Sequence, residues 1–437
     1  MKQTETINLL NMNTATFEGK TVTVENGRIT EKIDAPNEHL TTYALPGFID
    51  SHCHIMPGYA PLFTAAGVTS VRNTAGNAYM LAPLIKNDPT PFTPHVYWAD
   101  RMIDGVPGLW GGTSSGSFTT TSKQEAREEV QRQAEKGASF IKVYGRLKRE
   151  VMEAVVNESE RHRLDVAADL LASTDVDALT AAKIGVRFLE HNSGIIQSLI
   201  PSWHSLLDEA DDKEHLDGGL EKETLAKVCE ELKSAGVILT PTLSLFAQST
   251  NDHHWTPSLP FETNAMLSLE EQWKQVRPHI QSRKQKRLFQ ATKQITAAYH
   301  QMGGTILAGT DTPAGVDTYP GQLLHRELQL LVECGLTPFE AIQSATSIPG
   351  ELFGITSNCE PGEHADLLIV KENPLQTVEA TLTIDWIVKG GRWQRPEALI
   401  AKAEQSQKDY SEEWYRAQEE SFHDDMKKNY PHVNRKS

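Results

Sequence analysis

Strand-length apolar runs alternating with helix-length stretches constrain this chain more than any other feature. Eight runs can be counted: 45–54 (LPGFIDSHCH), 68–74, 95–101, 140–145, 165–170, 186–191, 237–244 and 305–312. They are rich in β-branched and aromatic residues, and helical signals separate them, the pattern of βα units around a parallel sheet. Ser122 opens a Glu-rich stretch that stops at Gly137, and Thr337-Pro338 opens another helix. Ser268 and Glu271 have capping-box spacing ahead of a long stretch ending near Gly303. Eight such units predict an α/β chain built on a (β/α)8 TIM barrel. The open, doubly wound alternative lacks a GxGxxG after its first strand.

The flanks have a different character. Residues 1–44 read as short β segments with a hairpin turn at Asn26-Gly27, and 363–370 and 381–393 return to β character. These flanks are expected to complete one small β-sandwich-like domain, with the barrel inserted between its halves. The resulting divisions are 1–44, 45–354, 355–396 and a helical tail, 397–437, in which Trp414, Tyr415, Phe422 and Met426 recur at near-helical spacing. Segments 195–235 and 248–264 read as long loop insertions able to close over a site.

Composition narrows the function class. With 42 basic and 58 acidic side chains the net charge is −16, which repels phosphate backbones, and no basic patch offsets it. Apolar runs fall well short of the roughly 20 residues a membrane span needs. The start, MKQTETINLL, lacks the apolar core of a secretory signal. Cys53, Cys229, Cys334 and Cys359 lie far apart with no CxxC. The expectation is a soluble, cytoplasmic protein acting on a small molecule, with neither nucleic acid nor membrane as partner; homo-oligomerisation is left open.

Active sites of this fold collect at the C-terminal ends of the strands. There the chain places His52 and His54, Lys142, Asp169, His191 and Asp311. Alternation puts His52 and His54 on one face with Cys53 turned away, and turns Phe140, Lys142 and Tyr144 inward while Ile141 and Val143 face out. Two neutral imidazoles at i, i+2 can grip one metal ion, and Zn2+ accepts such nitrogen and oxygen donors readily. Two carboxylates, Asp169 and Asp311, in one barrel mouth are costly without a cation. Taken singly each signal is weak; their appearance at five of eight strand ends carries the reading. The Tyr144 hydroxyl is a candidate donor to a developing oxyanion or a substrate carboxylate, and Arg146 and Arg101 are candidate carboxylate clamps. Gly112-Thr-Ser114-Ser-Gly116 matches the serine-hydrolase elbow G-x-S-x-G, but in a Gly/Ser/Thr-rich loop where chance explains it better.

The motifs PGFIDSHCH (46–54), GVTSVRNTAG (67–76), FIKVYGRLKRE (140–150), GVRFLEH (185–191), ILAGTDT (306–312), HRELQLLVECGLTPFEAIQSAT (325–346) and GEHADLLIV (362–370) resemble the metal-dependent amidohydrolase superfamily. Within it they are similar to the imidazolonepropionase-related and Xaa-Pro dipeptidase-like branch. The resemblance implies that His52 and His54 bind a first metal, that an N-carboxylated Lys142 bridges two metals, and that His191 binds the second. It further implies that Asp311 binds the first metal and shuttles a proton to the leaving nitrogen. His325 and Glu327 belong to a motif of the branch, as substrate-binding groups or as supports of the mouth. The implied activity is cleavage of a C–N bond in a small amide or cyclic amide by a metal-activated hydroxide, with one or two divalent ions, Zn2+ foremost; the enzyme would be dipeptidase-like. Ester or lactone hydrolysis would use the same machinery.

One departure matters. The branch usually has a histidine where this chain has Asp169. Three readings are open: Asp169 ligates, a single metal suffices, or catalysis is lost and a binding role kept. Asn73 is a smaller departure, standing where an aspartate is common.

Overall fold

Strand chemistry sorts the chain into two kinds of sheet. In the terminal segments, neighbouring apolar residues face opposite ways: Ile7, Leu9, Leu367 and Ile369 enter a small core, whereas Leu10, Leu368 and Val370 join the large one. A computed structural model describes residues 2–88, 90–256, 264–280, 282–355 and 358–430. Among these, one seven-stranded sheet has the order Arg392–Gln394, Ile384–Lys389, Leu367–Val370, Tyr43–Pro46, Lys2–Asn11, Thr16–Glu25, Arg28–Asp34. Both ends of the chain thus contribute to it. The hairpin between its last two strands turns at Asn26 and Gly27, both at positive φ (53° and 78°), as a type I′ turn requires.

The remaining strands are parallel. Phe48–Cys53, Val68–Asn73 and His95–Trp98 form a three-stranded sheet. A seven-stranded sheet runs Thr305–Ile306, Ile238–Thr240, Phe188–Glu190, Asp165–Asp169, Phe140–Tyr144, Met102–Asp104, Ser117–Thr119. Hydrogen bonds join the two on both sides: Ser51 N–H donates to Ala308 O (2.9 Å) and Ser139 N–H to Trp98 O (2.7 Å). Two helices begin where the signals place them, with Ser122 capping Lys123–Glu135 and Thr337 and Glu340 forming a full capping box on Pro338–Ser344.

Several expectations are corrected. The run 95–101 ends as a strand at Trp98, because Asp100 and Arg101 leave the ladder for a buried ion network with Glu129 and Arg132 of helix Lys123–Glu135. The run 237–244 stops at Thr240, since Pro241 has no N–H to donate, and Leu243–Gln248 is helical. Segment 195–235 is no loop; it holds the helices Ile195–Leu199, Glu209–Leu216 and Lys222–Ser234. Ser268 lies inside helix Asn264–Val276 rather than at its cap. Of the second expected insertion, 257–263 lie outside the described residues, as do 431–437 of the tail. The tail forms two helices, Pro396–Asp409 and Glu412–Asn429, which bury Leu399, Ala403, Phe422 and Met426 in the large core. No helix among the described residues is long and apolar enough to cross a membrane.

Burial opposes ionisation of Glu129, but the guanidiniums of Arg101 (2.7 Å) and Arg132 (2.6 Å) outweigh it and hold the carboxyl well below its ordinary range. With the folded pKa depressed, this stabilisation is complete above the unfolded value near 4.5 and is lost as pH falls below it. Replacing Glu129 with Gln leaves the buried Arg101 guanidinium without a carboxylate and Arg132 with Asp100 alone, and should cost about 3–5 kcal/mol, read as a lower urea midpoint at pH 7.

Candidate active site

Between the parallel sheets lies a separate apolar cluster, Ile49, Ala99, Phe140, Ala167, Phe188 and Leu307 among its members, into which Arg72 projects with its guanidinium 4.1 Å from the Phe140 ring centre and 4.5 Å from that of Phe188. Two residues further along the same strand faces stand Lys142, Asp169 and Glu190. The first strand needs an irregularity to do the same. Its pairing with Val68–Asn73 slips between Asp50 and Cys53, so Ile49 and His52 both turn inward while Cys53 joins the outer core. Gly309 permits the close approach of the last βα segment: a Cβ there would lie 2.6 Å from Thr240 Cγ2 and 2.8 Å from the His52 backbone nitrogen.

The hydrogen bonds fix the tautomers of three histidines. His52 Nδ1 lies 2.6 Å from Glu190 Oε2, and the other Glu190 oxygen accepts from Arg72 at 2.8 Å. Burial would raise the Glu190 pKa, but Arg72, Lys142 and His52 hold it well below its ordinary value, so the carboxylate accepts and Nδ1 carries the proton. His54 Nδ1 faces the Ala75 carbonyl at 3.2 Å, which can only accept. His191 Nδ1 lies 2.6 Å from Thr242 Oγ1, whose own proton goes to Pro241 O at 2.8 Å. When neutral, all three rings therefore present an Nε2 lone pair to the site.

Those lone pairs converge on carboxylates. His52 Nε2 and His54 Nε2 lie 3.1 and 3.0 Å from the same oxygen, Asp311 Oδ1. His191 Nε2 lies 3.7 Å from Asp169 Oδ2 and 3.9 Å from Asp311 Oδ2. Asp169 Oδ1 is occupied by the Leu171 N–H at 3.0 Å, which leaves Oδ2 facing His191. Burial keeps His191 neutral, with its pKa down at about 4, whereas Glu190 and Asp311 overcome burial at His52 and raise its pKa. Lone pair against carboxylate repels, so the arrangement demands positive charge at its centre. Protons on Nε2 or a bound cation would supply it, and nitrogen and oxygen donors of this kind suit a divalent metal. His52, His54 and Asp311 bring one ligand atom each to within 4.8 Å of one another. Lys142 is fully buried, and its Nζ has no hydrogen-bond partner; burial pushes its pKa down.

His191, Thr242 and Asp311 all have positive φ (60°, 49° and 60°). Backbone of this kind costs about 1–3 kcal/mol per residue and gathers at functional sites. Supporting carboxylates absorb part of the irregularity. Asp50 accepts from the Thr310 hydroxyl (2.6 Å) and N–H, and Glu327 accepts from the N–H groups of Leu243 (3.0 Å) and Ser244 (2.7 Å). Burial raises both acids to about 7.

Other expected residues fare differently. Tyr144 is buried beside the site, its ring 5.3 Å from Lys142 Nζ. Arg146 donates its backbone N–H to Asp104 (3.0 Å), and its Nε is buried without a hydrogen-bond partner. His325 is corrected to a structural bridge: both ring nitrogens are bonded, to Thr381 Oγ1 and Ala66 O, each at 2.9 Å. Arg101 is spent on Glu129. The segment around Ser114 leads into strand Ser117–Thr119 rather than a helix, so it is no nucleophile elbow. Asn73 accepts from the Ile55 N–H (2.8 Å) and donates to Ala75 O (3.0 Å); an aspartate could not make the second bond. Sequence reasoning missed Glu190, Arg72 and Thr242 as partners of the site. The signals were a charged residue inside an apolar strand at Arg72 and a carboxylate directly before His191.

The chain belongs to the amidohydrolase family, whose sequence profile matches residues 43–393. This is a hydrolase family acting on carbon–nitrogen bonds, and its members generally bind divalent metal. Among solved structures the fold is similar to a Xaa-Pro dipeptidase with methionine bound in its active site (18% identity, 90% of this chain and 100% of that one, TM-score 0.66). It is also similar to bottromycin amidohydrolase (18%, 92% and 90%, TM-score 0.72) and to A. niger ochratoxinase (19%, 90% and 95%, TM-score 0.63). The dipeptidase likeness agrees with the branch the motifs resemble. No curated protein sequence matches the chain.

If Glu190 fixes the His52 tautomer, Glu190→Gln should weaken it, because a glutamine amide can donate to Nδ1 and move the proton to Nε2. Metal affinity is expected to fall about 10–100-fold, measured by competition with a chromophoric chelator, with the circular dichroism spectrum checking the fold.

Proposed function

We propose that this protein is a metal-dependent hydrolase of a small amide or cyclic amide. The reading places its centre in the mouth of a closed (β/α)8 barrel, residues 45–354, inserted in a small β domain of residues 1–44 and 355–396 and followed by the helical tail, 397–437. Hydrogen bonds at both junctions of the parallel sheets support closure. The observation that carries the chemistry is the set of three fixed Nε2 lone pairs directed at Asp311 and Asp169.

His52, His54 and Asp311 would hold one divalent ion, Zn2+ by donor type, and His191, Asp169 and Lys142 a second. N-carboxylation of Lys142 would turn an orphaned buried amine into an anionic oxygen donor. The ions, when bound, polarise the scissile carbonyl and acidify water. Asp311, at Oδ2, takes the proton of the attacking water and returns it to the leaving nitrogen. Tyr144 keeps its proton, since burial and the Asp169 and Asp311 carboxylates raise its pKa well above 10, and so it acts as a hydrogen-bond donor to the carbonyl oxygen. Arg146 pairs with an anionic group of the substrate. The direction of Asp169 Oδ2 toward His191 favours ligation by Asp169 over an empty second site.

Protein purified without chelator should carry at least one equivalent of transition metal and lose amide hydrolysis on chelation; less than one equivalent would sink the reading. Asp311→Asn should cut kcat by about 10²–10⁴ with the fold intact. Asp169→His should raise the metal content or affinity at the second position, and an unchanged metal titration would remove Asp169 from it.

A further inference from the structure

Five large apolar side chains are exposed among the described residues: Ile33, Val106, Trp110, Leu206 and Val276. Ile33 lies on the edge strand of the terminal sheet. The other four lie on segments hydrogen-bonded to chain just past the strand ends that carry the candidate site. Val106 (49% exposed) and Trp110 (66%) follow Asp104, whose carboxylate accepts the Arg146 N–H, two residues past Tyr144. Leu206 (51%) follows Ser205, whose N–H donates to Leu171 O at 2.8 Å, two residues past Asp169. Val276 (42%) ends the helix whose Trp273 Nε1 donates to Pro313 O at 3.1 Å, two residues past Asp311. Three separate segments with exposed apolar side chains are thus anchored beside the strand ends of one polar centre.

Trp110 is the most exposed of the four and stands beside the Tyr144 hydroxyl. It lies between Gly108 and Gly111, both at positive φ (84° and 88°), and Gly111 and Gly112 have open space around them. The far end of the loop is tied down, since Ser115 donates to Glu419 of the tail at 3.0 Å. The indole is therefore held at the mouth on a segment with room to settle over a ligand.

We propose that Trp110 is a specificity-determining residue, its indole covering an apolar ring on a substrate whose scissile amide sits at the His52, His54 and Asp311 centre. The inference rests on the hydrolase reading and narrows it to amides with an aromatic or comparably bulky apolar group. Val106, Leu206 and Val276 complete the apolar rim.

The test compares wild type, Trp110→Ala and Trp110→Phe on N-acetyl-L-phenylalanine and N-benzoylglycine against N-acetylglycine. The wild type should prefer one of the aromatic amides. In Trp110→Ala the ratio of kcat/KM values, aromatic over glycine, should fall at least tenfold, about 1.4 kcal/mol, and Trp110→Phe should restore most of it. An equal loss on all three probes, or no change in the ratio, overturns the inference and leaves the hydrolase reading standing. If no probe is hydrolysed, the metal content tests the hydrolase reading and tryptophan emission tests this one. Quenching by the aromatic amides alone, absent from Trp110→Phe, supports the subsite; equal response of the two proteins overturns it. A fall in oligomeric mass on Trp110→Ala, seen by analytical ultracentrifugation, would make the rim a subunit interface and also overturn it.

Discussion

The Glu190 carboxylate does two jobs on which the rest of the centre depends. One oxygen neutralises the buried Arg72 guanidinium and the other fixes the proton of His52 on Nδ1. Without the first contact a cation would sit unpaired among Phe140, Phe188 and Phe353; without the second the His52 lone pair would have no fixed direction. Aromatic faces hold the guanidinium from the sides that lack hydrogen bonds, since Nε and Nη2 of Arg72 have no such partner. A salt bridge this deep contributes little net stability, because desolvation consumes most of its Coulombic gain. What it supplies is direction, and direction is what a set of metal donors needs.

The other two histidines are oriented by cheaper means. A carbonyl suffices for His54 and a relayed hydroxyl for His191, so neither needs a second buried charge. The positive φ values at His191, Thr242 and Asp311 bend the chain where the strands end and re-aim their side chains. Buried carboxylates secure the bends: Glu327 caps the helix that follows Thr242, and Asp50 binds Thr310 beside Asp311. The strain is held by groups that do not themselves face the centre.

Much of this was legible in the amino-acid order, for a definite physical reason. A two-residue period exposes which face of a strand looks inward, and Phe140, Lys142 and Tyr144 obey it, as do Ala167 and Asp169. Capping chemistry is equally local, which is why the starts at Ser122 and Thr337 could be read. The period fails where the backbone leaves the ladder. Nothing in the sequence announces the slip between Asp50 and Cys53 or the left-handed residues His191 and Asp311. Long-range partners were hidden too: Glu190 meets His52 across 138 positions, and His325 meets Ala66 across 259. His325 shows the cost of reading chemistry from residue type, since an imidazole with both nitrogens bonded to protein has nothing to offer a substrate.

On the proposed reading, Asp169 is where the charge of the centre is decided. An imidazole at that position would be neutral, so the carboxylate makes the donor set more negative by one unit. Were two divalent ions held there with a carbamate on Lys142 and with Asp311, the sum would be 4 − 1 − 1 = +2 for an imidazole and +1 for Asp169. A smaller residual charge polarises a carbonyl less, and oxygen in place of nitrogen favours harder metals. The lost polarisation must then come from the protein. On that reading the donor would be the Tyr144 hydroxyl, which burial beside Asp169 and Asp311 keeps protonated.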